Sequence, residues 1–420
     1  MTIEQRVNEA NQKVMDILLN GRPVWKDVRP ALEAIPGMTR ESILVAGPPL
    51  PAEKITQPIR TSICGAAVHE KLAVSLDEAW QMVLDGRIKI KPAQDYACGC
   101  AACMVVSASM PVIVAEDTVY GGKGYAPIHP GANPKVLRWG LYDGEVEQDL
   151  CWMRDEFGPA LGQAVRASGG IDLVTVLAKT AGMGDENHNR QPAASMYLAL
   201  QIIPHFMDVE HPKKNDMVRF LAGNDRFFLH VMMAGVEALT VKAKEIPLST
   251  VMAGMGGNGV EFGIRISGMG DEWFTAPVNT PQGLYFTGYD GEDACPDMGD
   301  SAITETFGVG GMAMIAAPAV TRFVGAGGYE DALRTSTEMT EITIDRNPNF
   351  IIPNWNFQGT CLGIDARLVV EKGITPVINT GIAHKVAGYG QIGAGTVHPP
   401  IACFEKAIAA YAKKLGFSLD

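Results

Sequence analysis

The run Thr375-Pro376-Val377-Ile378 leads into Asn379-Thr380-Gly381-Ile382-Ala383-His384-Lys385, and shortly afterwards the chain reads Gly390-Gln391-Ile392-Gly393-Ala394-Gly395. A short apolar, strand-like run handing over to polar residues set between glycines marks strands and tight turns rather than helix. Glycines let a backbone approach a ligand closely and turn its N–H groups toward an anion. A lysine buried beside a histidine is costly unless something negative lies there. The segment therefore asks for an anionic or carbonyl-bearing small molecule, with His384, Lys385 and Gln391 as candidate contacts.

The glycine-rich texture extends upstream to Pro247, and beyond Gly395 a Pro399-Pro400 pair opens a last helix, Ile401 to Leu415, closed by Gly416. Helical periodicity dominates from Val146 to about Lys244, with Asp172 and either Asn224 or Asp225 as N-caps. Ahead of it, Val7, Ala10, Val14, Ile17 and Leu18 share one face of a helix from Glu4 to Leu19. A strand is expected at Ser42 to Ala46, a helix opening on the capping box Ser75-Leu76-Asp77-Glu78 and ending at Gly86, and one or two buried strands in Met104 to Ala115. The expected fold class is α+β and multi-domain: an N-terminal α+β domain (1–145), a mainly helical middle domain (146–246) and a glycine-rich C-terminal α+β domain (247–420).

With 420 residues, 47% hydrophobic and 20% charged, the chain reads as globular, and a net charge of −12 argues against nucleic acid or anionic membranes as partners. The N-terminus reads as a charged amphipathic helix rather than a secretory leader, and the long uncharged stretch Ala97 to Ala115 suits buried strands better than a membrane span. A cytoplasmic protein with reduced thiols is the expectation for its eight cysteines.

Three further segments carry candidate chemistry. Gly184-Asp185-Glu186-Asn187-His188-Asn189-Arg190 is either a helix start, with Asp185 or Asn187 as cap and Arg190 in a surface ion pair, or a site loop. In the second reading Glu186 or His188 handles protons and Arg190 clamps a carboxylate or phosphate. Gly254 to Arg265 lacks the lysine and Ser/Thr of a phosphate-cradling loop and reads as a tight β-turn, with Asn258 and Arg265 as candidates for a ligand carbonyl and carboxylate. Asp300, Ser301 and Glu305 precede another glycine run, where they either cap a helix or bind substrate at its N-terminus. No G-x-S-x-G elbow is present. Cys98, Cys100 and Cys103 fall within six residues and would suit a soft metal or an iron–sulfur cluster, but no fourth ligand is obvious and cysteine is also a common small core residue; the core reading, with no metal or other cofactor, is preferred.

Taken together, GMGDENHNR (182–190), GGNGVEFGIR (256–265), WFTAP (273–277), PDMGDSAITETFGVGG (296–311), FQGTCLGIDARLVVEKGITPVINTGIAHK (357–385) and GQIGAG (390–395) closely resemble the YlbE/YahG-like family, in order and over nearly the whole chain. Its members include the AllG-type subunit of oxamate carbamoyltransferase from anaerobic allantoin degradation. The resemblance implies a multi-domain α+β fold with a helical domain. It also implies transfer of a carbamoyl group between oxalurate and phosphate, giving oxamate and carbamoyl phosphate, beside an FdrA-like subunit related to succinyl-CoA synthetases and a third subunit. A homo-oligomer is expected. Where the family pattern carries P-x-H-x-H leading into G-P-M, this chain has Gln94 and Tyr96 in place of the two histidines. A different ureido substrate, or a non-catalytic scaffold role with chemistry in the FdrA-like partner, are the alternatives. For carbamoyl transfer, Arg190, Arg265 and Lys385 would clamp the anions, glycine N–H groups and His384 would meet the developing oxyanion, and His188 or Glu186 would take the proton.

Overall fold

The computed structural model describes residues 2–417 except 132 and 134. The first helix, Ile3–Asn20, opens on a capping box: the Thr2 hydroxyl accepts from the Gln5 amide, and the Gln5 side chain accepts from the Thr2 amide. Its five expected apolar residues are all buried. Asn11 is buried on this helix too, hydrogen-bonded to Ser249, Thr250 and Asp365, and so fastens the N-terminal helix to the C-terminal part of the chain.

An antiparallel sheet runs in the order Lys123–Pro127, Pro111–Asp117, Pro23–Pro30, Ile171–Asp172 and packs on the helix Phe227–Ala243. That helix is apolar around most of its circumference and almost wholly buried, as such a sequence requires. At Gly124 any side chain would overlap the Ala234 carbonyl, so the edge strand lies directly on the helix. Around it stand Gly144–Trp152, Gly158–Ala167, Leu173–Ala181, Pro192–Phe206 and Lys214–Gly223. Their shared core reaches back to Val14 and Trp25 and forward to Ile303, Phe307 and Phe350. Asp172 caps its helix by accepting from the Thr175 amide, as expected. Neither Asn224 nor Asp225 caps the central helix: Arg226 holds the N-cap position, and Asn224 accepts from the Arg226 amide.

A second core gathers the C-terminal elements. One sheet runs Phe274–Pro277, Glu261–Ile266, Met252–Asn258, Met298–Gly299; another runs Gln282–Tyr285, Gln391–Val397, Ile378–Ala383. The strand begins later than the sequence suggested, at Ile378, because Pro376 has no N–H for a ladder. The glycine-punctuated motif is thus itself a strand, and Gly393 and Gly395 lie against the backbone of residues 282–285 where a side chain would clash. The last helix, Ile401–Lys414, starts after Pro400 as read. A third, smaller core lies under Gln57–His69 and Leu76–Leu84, beside a mixed sheet of Lys89–Pro92, Ser42–Val45 and Val105–Val106. The fold is mixed α+β. No described helix is long and apolar enough to cross a membrane.

Candidate anion-binding site

The loop Gly184–Gln191 folds around a carboxylate. Glu186 is fully buried, and its two oxygens accept from the amides of Arg190 at 2.5 Å and His188 at 3.0 Å. Its carbonyl accepts from the Gly310 amide at 2.6 Å. Burial pushes Glu186 up to about 7, against the pull of His188 and the Arg190 amide. Glu186 therefore organises the loop from inside, and His188 is what the loop presents. His188 Nδ1 meets Glu305 Oε1 at 2.7 Å. That carboxylate is fixed in turn by the Gly311 amide and the Thr304 hydroxyl, both at 3.0 Å. Gly310 has φ +67° and a side chain there would overlap the Glu305 carboxylate, so glycine is required. Burial works against a charged His188, but Glu305, Glu186 and Asp297 outweigh it and hold its pKa above the ordinary value. His188 Nε2 has no hydrogen-bond partner among the described residues.

His188 lines a small cavity of about 30 Å³, large enough for a water-sized group. Its walls come from segments far apart in the chain: Ala101, Ala102, His129, Arg138 and Trp139; then Asn189, Gln191, Arg226 and Leu229; then Met298, Ser301, Thr380, Gly381 and Gln391. Arg138, in the turn Leu137–Trp139, is buried. It donates to His129 Nε2, and its Nε has no partner. Burial, then the nearby Arg226, push the guanidinium down to about 9, which leaves it charged at neutral pH. Burial and Arg138 push His129 well below its ordinary value, so its ring is neutral and able to accept. Arg226 donates to Gln391 Oε1 at 3.2 Å and sits at the N-terminus of the 17-residue central helix, whose dipole adds positive potential. Among the described residues neither arginine is paired with a carboxylate. Gln191 donates to the His188 carbonyl at 2.6 Å, and its Oε1 is buried without a partner. The cavity thus presents cationic donors, one orphan carbonyl acceptor and an imidazole tip. It shares Asn189, Gln191 and Arg226 with an outer groove of about 270 Å³, where Arg190 stands half-exposed, 3.8 Å from Asp185.

Of the residues singled out in the sequence, His188, Ser301 and Gln391 line the cavity, Glu305 and Glu186 support His188, and Arg190 lies in the groove. The others are elsewhere. Arg265 is sealed against Asp95, the Gln94 carbonyl and the face of Trp273. Asn258 closes its hairpin turn, accepting from Val260 and Glu261 and donating to the Pro48 carbonyl. Asp300 is buried and spends its oxygens on the Gly47 and Cys100 amides and on Gln94; burial pushes it up to about 7. His384 stacks on Tyr389 at 4.2 Å, and the exposed Lys385 reaches the Glu292 carbonyl. Arg190, Arg265 and the His384–Lys385 pair therefore do not share one cavity. Gln94 is a buried strut, donating to the Met255 carbonyl and Asp300 at 2.8 Å each. Cys98 and Cys100 lie in one apolar cluster and Cys103 in another, so the three thiols do not converge. Arg138, Arg226, His129 and Gln191 were not among the sequence candidates. The available signal was an arginine inside the apolar run Val136-Leu137-Arg138-Trp139, since charge in such surroundings is rarely left without a purpose.

A cationic cavity in an α+β chain, with a carboxylate-steered histidine on its wall, presents the donors that a small anion needs. Residues 88–301 match the family model described as oxamate carbamoyltransferase subunit AllG. The chain is 45% identical to the oxamate carbamoyltransferase subunit AllG of Escherichia coli K12, over 98% of its own length and 99% of that protein's. It is 41% identical to the uncharacterized protein YahG of the same organism, over 99% of its length and 88% of the relative's. A crystal structure of a conserved protein of unknown function from Enterococcus faecalis V583 superposes with a TM-score of 0.95 at 38% identity, covering 98% of this chain and 99% of that one. The chain belongs to the AllG family.

Proposed function

We propose that this chain is a subunit of a carbamoyl-transferring enzyme of the oxamate carbamoyltransferase type, and that the Arg138–Arg226 cavity receives the charged oxygens of its anionic substrate, the rest of which lies toward the outer groove. One observation carries the reading: two arginines meet at a cavity with no carboxylate to neutralise them, beside the orphan Gln191 Oε1. A phosphate or carboxylate would supply the missing charge, and the –NH2 of a carbamoyl or oxamate group would supply the missing donor.

In the transfer, the attacking nitrogen of oxamate loses a proton as it bonds to the carbamoyl carbon, and the bond to phosphate breaks. His188, oriented by Glu305, takes that proton at Nε2 and returns it to the leaving phosphate. Arg138 and Arg226 balance the charge that builds on the departing oxygens. Because about 30 Å³ is too little for two substrates, the second would occupy the outer groove, held by Arg190 and Arg226. The same small volume favours a site completed on assembly, with an FdrA-like and a third subunit as the expected partners. A scaffold role, with chemistry in the partner, is the competing reading.

The test is reconstitution. The isolated chain and the assembled complex are assayed with carbamoyl phosphate and oxamate, and phosphate, oxamate and small ureido acids are screened for thermal shift against wild type, Arg138→Gln and Arg226→Gln. The reading expects an anion-dependent shift that both variants lose. Wild-type turnover in complexes carrying either variant would overturn it.

A further inference from the structure

Outside the anion cavity, three side chains of different donor type meet at the junction of two helices. His69 ends the helix Gln57–His69 and its side chain is buried. Glu147 and Cys151 lie four residues apart, hence on one face of the helix Gly144–Trp152. His69 Nδ1 is 3.0 Å from Glu147 Oε2, Cys151 Sγ is 3.3 Å from Glu147 Oε1, and one ligand atom from each residue lies within 4.8 Å of the other two. With bonds of roughly 2.0–2.3 Å, the ligand atoms of a tetrahedral zinc ion sit about 3.3–3.8 Å apart. The triad therefore needs only small side-chain adjustment to reach that spacing.

The surroundings supply the outer contacts a metal-bound histidine wants. His69 Nε2 lies 3.5 Å from Ser109 Oγ, which donates to Glu70 Oε1 at 2.9 Å. Glu70 is held in turn by the Ser109 amide at 2.7 Å and the Ser107 hydroxyl at 2.6 Å. The Tyr142 hydroxyl donates to Glu147 at 2.9 Å. Such a chain from imidazole to carboxylate fixes the ring and the tautomer. One neighbour opposes a cation: Arg154 places its guanidinium 3.5 Å from His69 Nε2 and 3.6 Å from Cys151 Sγ. It is anchored to Asp155 by two bonds of 2.7 Å, within the π-helical turn Met153–Phe157, and would have to swing out together with that carboxylate for a cation to enter.

We propose that His69, Glu147 and Cys151 form a binding site for a borderline-soft divalent cation of the zinc class, with one coordination position open. The N, O and S donors favour such an ion over magnesium or calcium. A metal bound at His69 Nδ1 requires the ring proton on Nε2, facing Ser109, and the Cys151 thiol proton leaves for solvent. The thiolate and carboxylate then neutralise the dication. Glu147 and Cys151 are only partly buried, so solvent reaches the open position.

The site is tested on the full chain, stripped with a chelator and titrated with cobalt(II), then with zinc. The expected result is one equivalent bound, with tetrahedral cobalt absorption, a thiolate-to-metal charge-transfer band and release of about one proton per ion near neutral pH. Cys151→Ser, at a partly exposed position, should abolish the charge-transfer band and weaken binding at least ~10-fold. Zinc should also protect Cys151 from alkylation in the unmutated chain. A cobalt spectrum without a thiolate band, or one unchanged in Cys151→Ser, overturns the proposal.

Discussion

Arg265 and Arg138 are alike in most respects: both are buried, both lie over a tryptophan ring, at 4.1 and 4.6 Å, and both leave Nε without a partner. They differ in counter-charge. Arg265 faces Asp95 and, at 3.9 Å, Asp271. Arg138 faces a neutral histidine and a second arginine. A guanidinium whose charge is met inside the chain is a strut. One whose charge is left unmet is a candidate for binding an anion from outside the chain.

The comparison breaks most visibly in stability. Arg265→Gln removes a buried guanidinium, its bond to the Gln94 carbonyl and its stack on Trp273, and should cost about 2–3 kcal/mol in denaturant unfolding; the exposed Asp95 and Asp271 are left in water and add little. Arg138→Gln should do the reverse. It relieves the repulsion with Arg226 and should leave the melting temperature unchanged or higher, while turnover of the reconstituted complex falls ~100-fold, the scale of a lost transition-state donor. If Arg138→Gln unfolds the chain and Arg265→Gln only slows it, the roles assigned to the two arginines are interchanged.

A second contrast is between buried acids that are supported and one that is not. Asp300 accepts three hydrogen bonds, whereas Glu237, on the central helix, leaves Oε1 without a partner. Burial pushes Glu237 from its ordinary 4.5 up to about 8. Between those values the folded chain binds the proton and the unfolded chain does not, so the contribution of this group to stability falls as pH rises from about 4.5 to about 8. Glu237→Gln should flatten the decline and raise stability at pH 8 by roughly 2–4 kcal/mol. Melting curves at pH 5 and pH 8 would show it, and an unchanged pH slope would mean that Glu237 is solvated or paired.

Much of the fold was readable because its signals are local. The Thr2 and Ser75 caps, the apolar face of the first helix, the Asp172 cap and the Pro400 start each depend on a few neighbouring residues. The site was readable only in part. His188 and its loop stood out because so many polar residues between apolar runs need a reason, and Glu305 stood out with its glycines. Arg138 and Arg226 did not, since what singles them out is the carboxylate that is missing, and that is a property of approach between distant segments. Asp300 and Asn258 were polar for structural reasons: one holds the Cys100 turn and the Gly47 turn together, the other closes a hairpin. Motif position alone does not separate those uses.

The smallest expected effect falls where the sequence pointed first. Lys385 is exposed, and its ammonium reaches the Glu292 carbonyl rather than the cavity. Lys385→Ala should change stability by no more than about 0.5 kcal/mol, the usual range for a surface residue without special contacts. Turnover of the complex should be unaffected. Assembly offers one route to a different result: if a partner subunit covers the turn at Lys385, the substitution would raise the concentration of partner needed for half-maximal activity, with the maximal rate preserved. A ~100-fold loss of maximal rate at saturating partner would instead place this lysine at the reacting group. The unmatched charge of Arg138 and Arg226 would then need a different explanation.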